Sequence, residues 1–117
     1  MANLAIILQL LLGVAFLIIG GMKLAGAPRV KENFRHLKLS PKVRLIAGVV
    51  EVVGAVGLLA GVVSLESSIV ACALLILTMI GAFFSHLRVK DPLLKVLPSL
   101  VMLALMLAII ALRWPIL

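Results

Sequence analysis

Apolar residues run almost unbroken through four stretches of this chain, about 4–22, 45–65, 69–87 and 93–112. A helix that crosses ~30 Å of hydrocarbon needs roughly 20 mostly apolar residues. Each stretch has that length, and none shows the polar face of a helix on a water-soluble protein. The pattern predicts an all-α, multi-pass integral membrane four-helix bundle, one domain over residues 1–117. The first stretch begins close to Met1. It lacks a basic lead-in and is longer than the apolar core of a signal peptide, so we expect a retained span.

The breaks between stretches carry helix punctuation. Gly26, Ala27 and Pro28 end span one. Ser40-Pro41 reads as an N-cap followed by proline at the first helical position, and Asp91-Pro92 repeats the device before span four. Pro98 is placed to bend span four. Between Pro28 and Leu39, Val30, Phe34 and Leu37 recur at helical spacing among Lys31, Glu32, Arg35 and Lys38. This predicts a short helix lying in the interface between spans one and two.

Charge gives the expected orientation. The connection 23–44 holds Lys23, Arg29, Lys31, Arg35, Lys38, Lys42 and Arg44, and the third connection holds Arg88, Lys90 and Lys95. The second connection has only Glu66, and the C-terminal tail only Arg113. Basic loops stay on the cytoplasmic side, so both termini are expected on the non-cytoplasmic side. The net charge of +7 is then a topology signal, with attraction to anionic lipid headgroups. No basic soluble domain exists to bind nucleic acid, so the lipid bilayer is the expected partner.

Few polar residues interrupt the spans. Glu51 lies about 9 Å inside span two, six residues beyond Leu45. A carboxylate in lipid costs ~3 kcal/mol, so it should face protein or a water-filled cavity. Ala47, Gly48, Gly54 and Ala55 share its side of the helix, which directs Glu51 into the bundle. Lys23 at the end of span one, His86 at the end of span three and Arg88 just beyond lie within about two to three helical turns of Glu51 in depth. Together they are candidate ligand-binding residues. Glu51 and His86 are the candidates for proton transfer, although no complete catalytic set is evident. Each also has a structural reading: Lys23 and Arg88 snorkelling, His86 capping its helix, and Glu51 in one buried ion pair. Gln9 and Thr78 are expected to make interhelical hydrogen bonds. Gly54, Gly57 and Gly61 form a small-residue stripe for packing, within the chain or against a second copy.

Several chemistries lose weight. Cys72 is the single cysteine, so no intrachain disulfide is expected. Cys72 and His86 share a face but stand ~21 Å apart along the helix. His36 in a loop and His86 at a helix end make a poor haem clamp. No residues have zinc-site spacing, and no metal is expected.

Three segments carry a family resemblance: GGMKLAGAPRVKENF at the end of span one, GVVEVVGAVGLLAG in span two and GAFFSHLRVKDP after span three. In order and spacing they resemble the DoxX-like membrane proteins, from about Ala15 to Pro98. The resemblance implies a four-helix bundle and puts Lys23, Glu51 and His86 on the family's recurrent polar positions. It also implies a prokaryotic cytoplasmic (inner) membrane. The family's name derives from a subunit linked to quinone-dependent sulfur oxidation, while distant members resemble assembly chaperones for membrane cargo. Three expectations follow. One is an accessory subunit of a quinone-linked redox system, with quinone as the cofactor. Another is an assembly or binding module for a membrane-protein partner or lipid. The third is a small-molecule carrier acting as a homo-oligomer.

Overall fold

The computed structural model describes residues 2–113, and these form five helices with no strand among them. They are α1 (Ala2–Ala25), α2 (Pro28–His36), α3 (Pro41–Ala60), α4 (Leu65–Arg88) and α5 (Leu93–Arg113). All but α2 are long and apolar enough to cross a membrane. At most 33% of any of these spans is buried within the chain. The remainder is apolar and faces outward, as Leu11, Ile18, Val53, Leu77 and Leu94 do. A water-soluble fold does not leave surface of that kind on every helix. This is an integral membrane protein whose outer surface is made for lipid.

The helices extend past the apolar runs because their first turns are polar or capped. Ser40 accepts from the amide of Val43 with Pro41 at N1, so α3 starts four residues before Leu45. Ser64 accepts from the amide of Ser67, which starts α4 at Leu65. Gly26 adopts φ +71°, a conformation cheap only for glycine, and turns the chain into Pro28 at N1 of α2. The predicted short helix is α2, with Phe34 and Leu37 buried on its inner face.

Around the bundle the order is α1, α3, α4, α5, with α5 returning more lightly onto α1. Glycines set how closely α1, α3 and α4 approach. A Cβ on Gly20 would lie 3.0 Å from the Gly48 carbonyl oxygen, and one on Gly48 would lie 3.1 Å from that of Gly20. The two backbones therefore meet there. On the other face of α3, Gly54 meets Leu75, Gly57 meets Ala71 and Gly61 meets Ser68. The glycine stripe thus packs within the chain, onto antiparallel α4. Phe16, Leu58, Leu75, Met106 and Ile109 fill the centre.

Candidate functional site

The Gly20–Gly48 crossing explains the main polar contact. Lys23 and Glu51 each lie three residues beyond one of these glycines, on the same face as it. Because α1 and α3 are antiparallel, both side chains lean toward their own N-termini and so toward each other. Lys23 Nζ donates to Glu51 Oε1. Glu51 is completely buried, and its Oε2 has no hydrogen-bond partner among the described residues. Lys23 keeps 16% exposure. Its ammonium stands 5.9 Å from the centre of the Phe34 ring, within cation–π range. Its carbonyl accepts from Arg44, which ties the α1 terminus to α3.

On the α2 side of the contact between Gly54 and Leu75, residues of α2, α3 and α4 line a gap. A cavity of about 310 Å³ occupies the gap. Its apolar walls include Phe34 and Leu37 from α2 and its turn, Ile46, Ala47 and Val50 from α3, and Met79 and Ala82 from α4. Lys23, Asn33, Thr78, Ser85 and His86 supply the polar groups. The volume is near the lower end of ligand sites, about 300–1,000 Å³, and suits one ring or headgroup. Lys23 therefore has two roles in the geometry, as partner of Glu51 and as part of the cavity wall.

His86 reaches the cavity without reaching Glu51. Its Nδ1 lies 2.6 Å from Asp91 Oδ2, and His36 Nε2 lies 2.6 Å from Asp91 Oδ1. Hydrogen bonds from His86 and then His36 hold the Asp91 carboxyl below the ordinary carboxylate range. An ionised carboxylate only accepts, so Nδ1 of His86 carries the proton shared with Asp91. That leaves Nε2 of His86 for a ligand.

The expected cluster is thus divided into a Lys23–Glu51 pair and a His36–Asp91–His86 bridge, with Lys23 and His86 sharing one cavity. Arg88 lies outside it. Its guanidinium donates to the carbonyl oxygens of Leu37 at 2.5 Å and Lys38 at 3.4 Å, which clamps the turn after α2. Asp91 serves the two histidines, and His36 is the last residue of α2 rather than a loop residue. Thr78 bonds back to Leu74 of its own helix at 3.0 Å, against the expected interhelical bond.

A second polar cluster lies at the opposite end of the bundle. Buried Gln9 donates to the Leu58 carbonyl at 3.1 Å and to Ser68 Oγ at 2.9 Å. Arg113 donates to Gln9 Oε1 at 2.6 Å, Ser68 Oγ at 2.7 Å and the Gly61 carbonyl at 2.5 Å. Arg113 is therefore the last residue of α5 and an internal tie, where the sequence suggested a tail.

The DoxX-like family model matches residues 7–109, most of the chain. The chain belongs to the DoxX-like family. The matched segment of this DoxX-like protein includes Lys23, Glu51, His86 and Asp91 and stops short of Arg113. No curated protein and no solved structure gives a match to the DoxX-like chain.

Proposed function

We propose that this DoxX-like protein is an accessory membrane subunit that holds the head of a lipid-soluble quinone. The observation that carries the reading is the cavity between α3 and α4, apolar on most sides, with Lys23 and His86 both on its wall. A quinone head is a flat apolar ring with carbonyl oxygens at its ends. Lys23 supplies donors for one carbonyl, and protonated Nε2 of His86 supplies a donor for the other. Glu51 holds Lys23 in place, and Asp91 fixes the orientation of His86. Proton exchange with a bound quinone falls to His86, a cavity-lining residue whose Nε2 is not taken up by Asp91. The glycine face that a protein partner would use is already taken by α4, which gives an assembly role less support.

In this reading α2 lies in the cytoplasmic interface and both termini lie on the far side. The seven basic residues of segment 23–44 support that orientation. The family resemblance supports a prokaryotic cytoplasmic membrane as the protein's location.

The test is mass spectrometry of small molecules and proteins that co-purify in mild detergent. Wild type, Lys23→Met and His86→Ala are compared. A near-stoichiometric quinone lost in both variants supports the proposal. A retained protein partner with no small molecule would replace it by an assembly role.

A further inference from the structure

A second set of cations lies outside the cavity, and two of its three members have no carboxylate partner among the described residues. Lys31 and Arg35 of α2 and Arg44 of α3 line a groove of about 290 Å³ together with Phe34, Leu39 and Pro41. Arg35 is exposed and paired with Glu32 at 3.1 Å. Among the described residues neither Lys31 nor Arg44 is paired with a carboxylate.

Gly26 brings these two cations together. The point where its Cβ would stand is 3.4 Å from Lys31 Nζ and 3.5 Å from Arg44 Nη1. The two cationic nitrogens are therefore no more than about 7 Å apart, inside the ~8 Å Debye length at physiological salt. Arg44 is only 8% exposed, although it is a charged residue. That same Nη1 donates to the Lys23 carbonyl, while Nη2 and Nε of Arg44 have no hydrogen-bond partner among the described residues. Two converging like charges, one of them buried, call for an anion between them.

We propose that Lys31 and Arg44 bind the phosphate of an anionic lipid headgroup. A guanidinium fork and an ammonium are suited to phosphate oxygens. Phe34, Leu39 and Pro41 provide the apolar wall that the glycerol and upper acyl chain require, which a free anion does not need. The site sits at the end of the bundle where α2 crosses, beside lipid-facing Val43 and Leu45. Arg35, already balanced by Glu32, borders the site without being its principal cation. This site shares the apolar Phe34 and Leu39 with the proposed quinone cavity but neither of its two cations, so either can fail alone.

The test is native mass spectrometry of the intact protein in mild detergent and ~0.5 M ammonium acetate, where diffuse attraction is screened. Phosphatidylglycerol, phosphatidylcholine and inorganic phosphate are titrated separately. The expected result is a phosphatidylglycerol adduct preferred over phosphatidylcholine. Arg44→Gln and Lys31→Gln each weaken it by about tenfold or more, as for loss of a charge-assisted hydrogen bond. Lys90→Gln removes one charge elsewhere and changes it by no more than about twofold. Lys31 is exposed, so its variant keeps the test decisive if Arg44→Gln fails to fold. Equal losses in all three variants, or no preference between the lipids, would overturn the site. Lys31-dependent binding of inorganic phosphate at equal affinity would overturn the lipid assignment.

Discussion

Removing the ammonium of Lys23 leaves Glu51 with no hydrogen-bond partner among the described residues. In the folded protein Oε1 is held by Lys23, while Oε2 has no partner among the described residues, and the side chain has no contact with solvent. Lys23→Met keeps the length of the apolar stem and deletes only the charge. Breaking one side of a buried pair costs about 3–5 kcal/mol, most of it the penalty of an uncompensated charge. The lower end applies here, because separated helices in a micelle still find polar partners. We expect Lys23→Met to cost ~3 kcal/mol and Glu51→Gln ~1 kcal/mol, since the glutamine retains the shape and can still accept from Lys23. The double variant should recover ~2 kcal/mol over Lys23→Met, because no charge is then stranded. The assay is reversible unfolding by sodium dodecyl sulfate in mixed micelles, followed by far-ultraviolet circular dichroism. Strict additivity, with Lys23→Met costing under about 1 kcal/mol, would refute the reasoning.

Gly54→Val would place a Cβ 2.7 Å from Leu75 Cγ. It should destabilise the bundle by about 1–3 kcal/mol in the same assay, with partial rescue by Leu75→Ala. Gln9→Leu removes an acceptor from Arg113 and a donor from the Leu58 carbonyl. The expected cost is ~1–3 kcal/mol, and Gln9→Leu combined with Arg113→Leu should cost less than the sum of the two. For Asp91 the native carboxyl is held below its unfolded value. Its stabilising effect is complete above the unfolded range, about 3.9, and is lost as pH falls through the depressed native value. Melting curves of wild type and Asp91→Asn should therefore differ near pH 5.5, begin to approach each other at ~3.9 and converge once pH has fallen through the depressed native value; a gap that persists unchanged at the acid end would contradict the assignment.

The bundle was legible because membrane spans announce themselves locally. Twenty apolar residues are a length argument that needs no knowledge of what packs where. The short helix α2 was legible from the spacing of Val30, Phe34 and Leu37. Glu51 stood out because a carboxylate amid valines and glycines has few tolerable environments. Pairings across the bundle were harder to see. Asp91 sits in the sequence position of an N-cap, and only the approach of α2 to the α4–α5 connection brings His36 to it. Arg113 looked like a tail because its partners, Gln9 and Gly61, are far away in sequence. His86 and Glu51 were expected together from lying within about two to three helical turns in depth and from the family resemblance, but depth does not fix the angle around a helix. The Gly20–Gly48 crossing was the available signal for Lys23 and Glu51. Each glycine lies one turn from its ionisable neighbour on the same face.

The most direct test of the central claim is photolabelling with a light-activated short-chain quinone in mild detergent. The account predicts adducts on the cavity walls, within 33–39 and 78–86, that disappear when unlabelled quinone is added and are reduced in Lys23→Met and His86→Ala. Labelling spread along the lipid-facing residues, insensitive to competitor and to both substitutions, would contradict it.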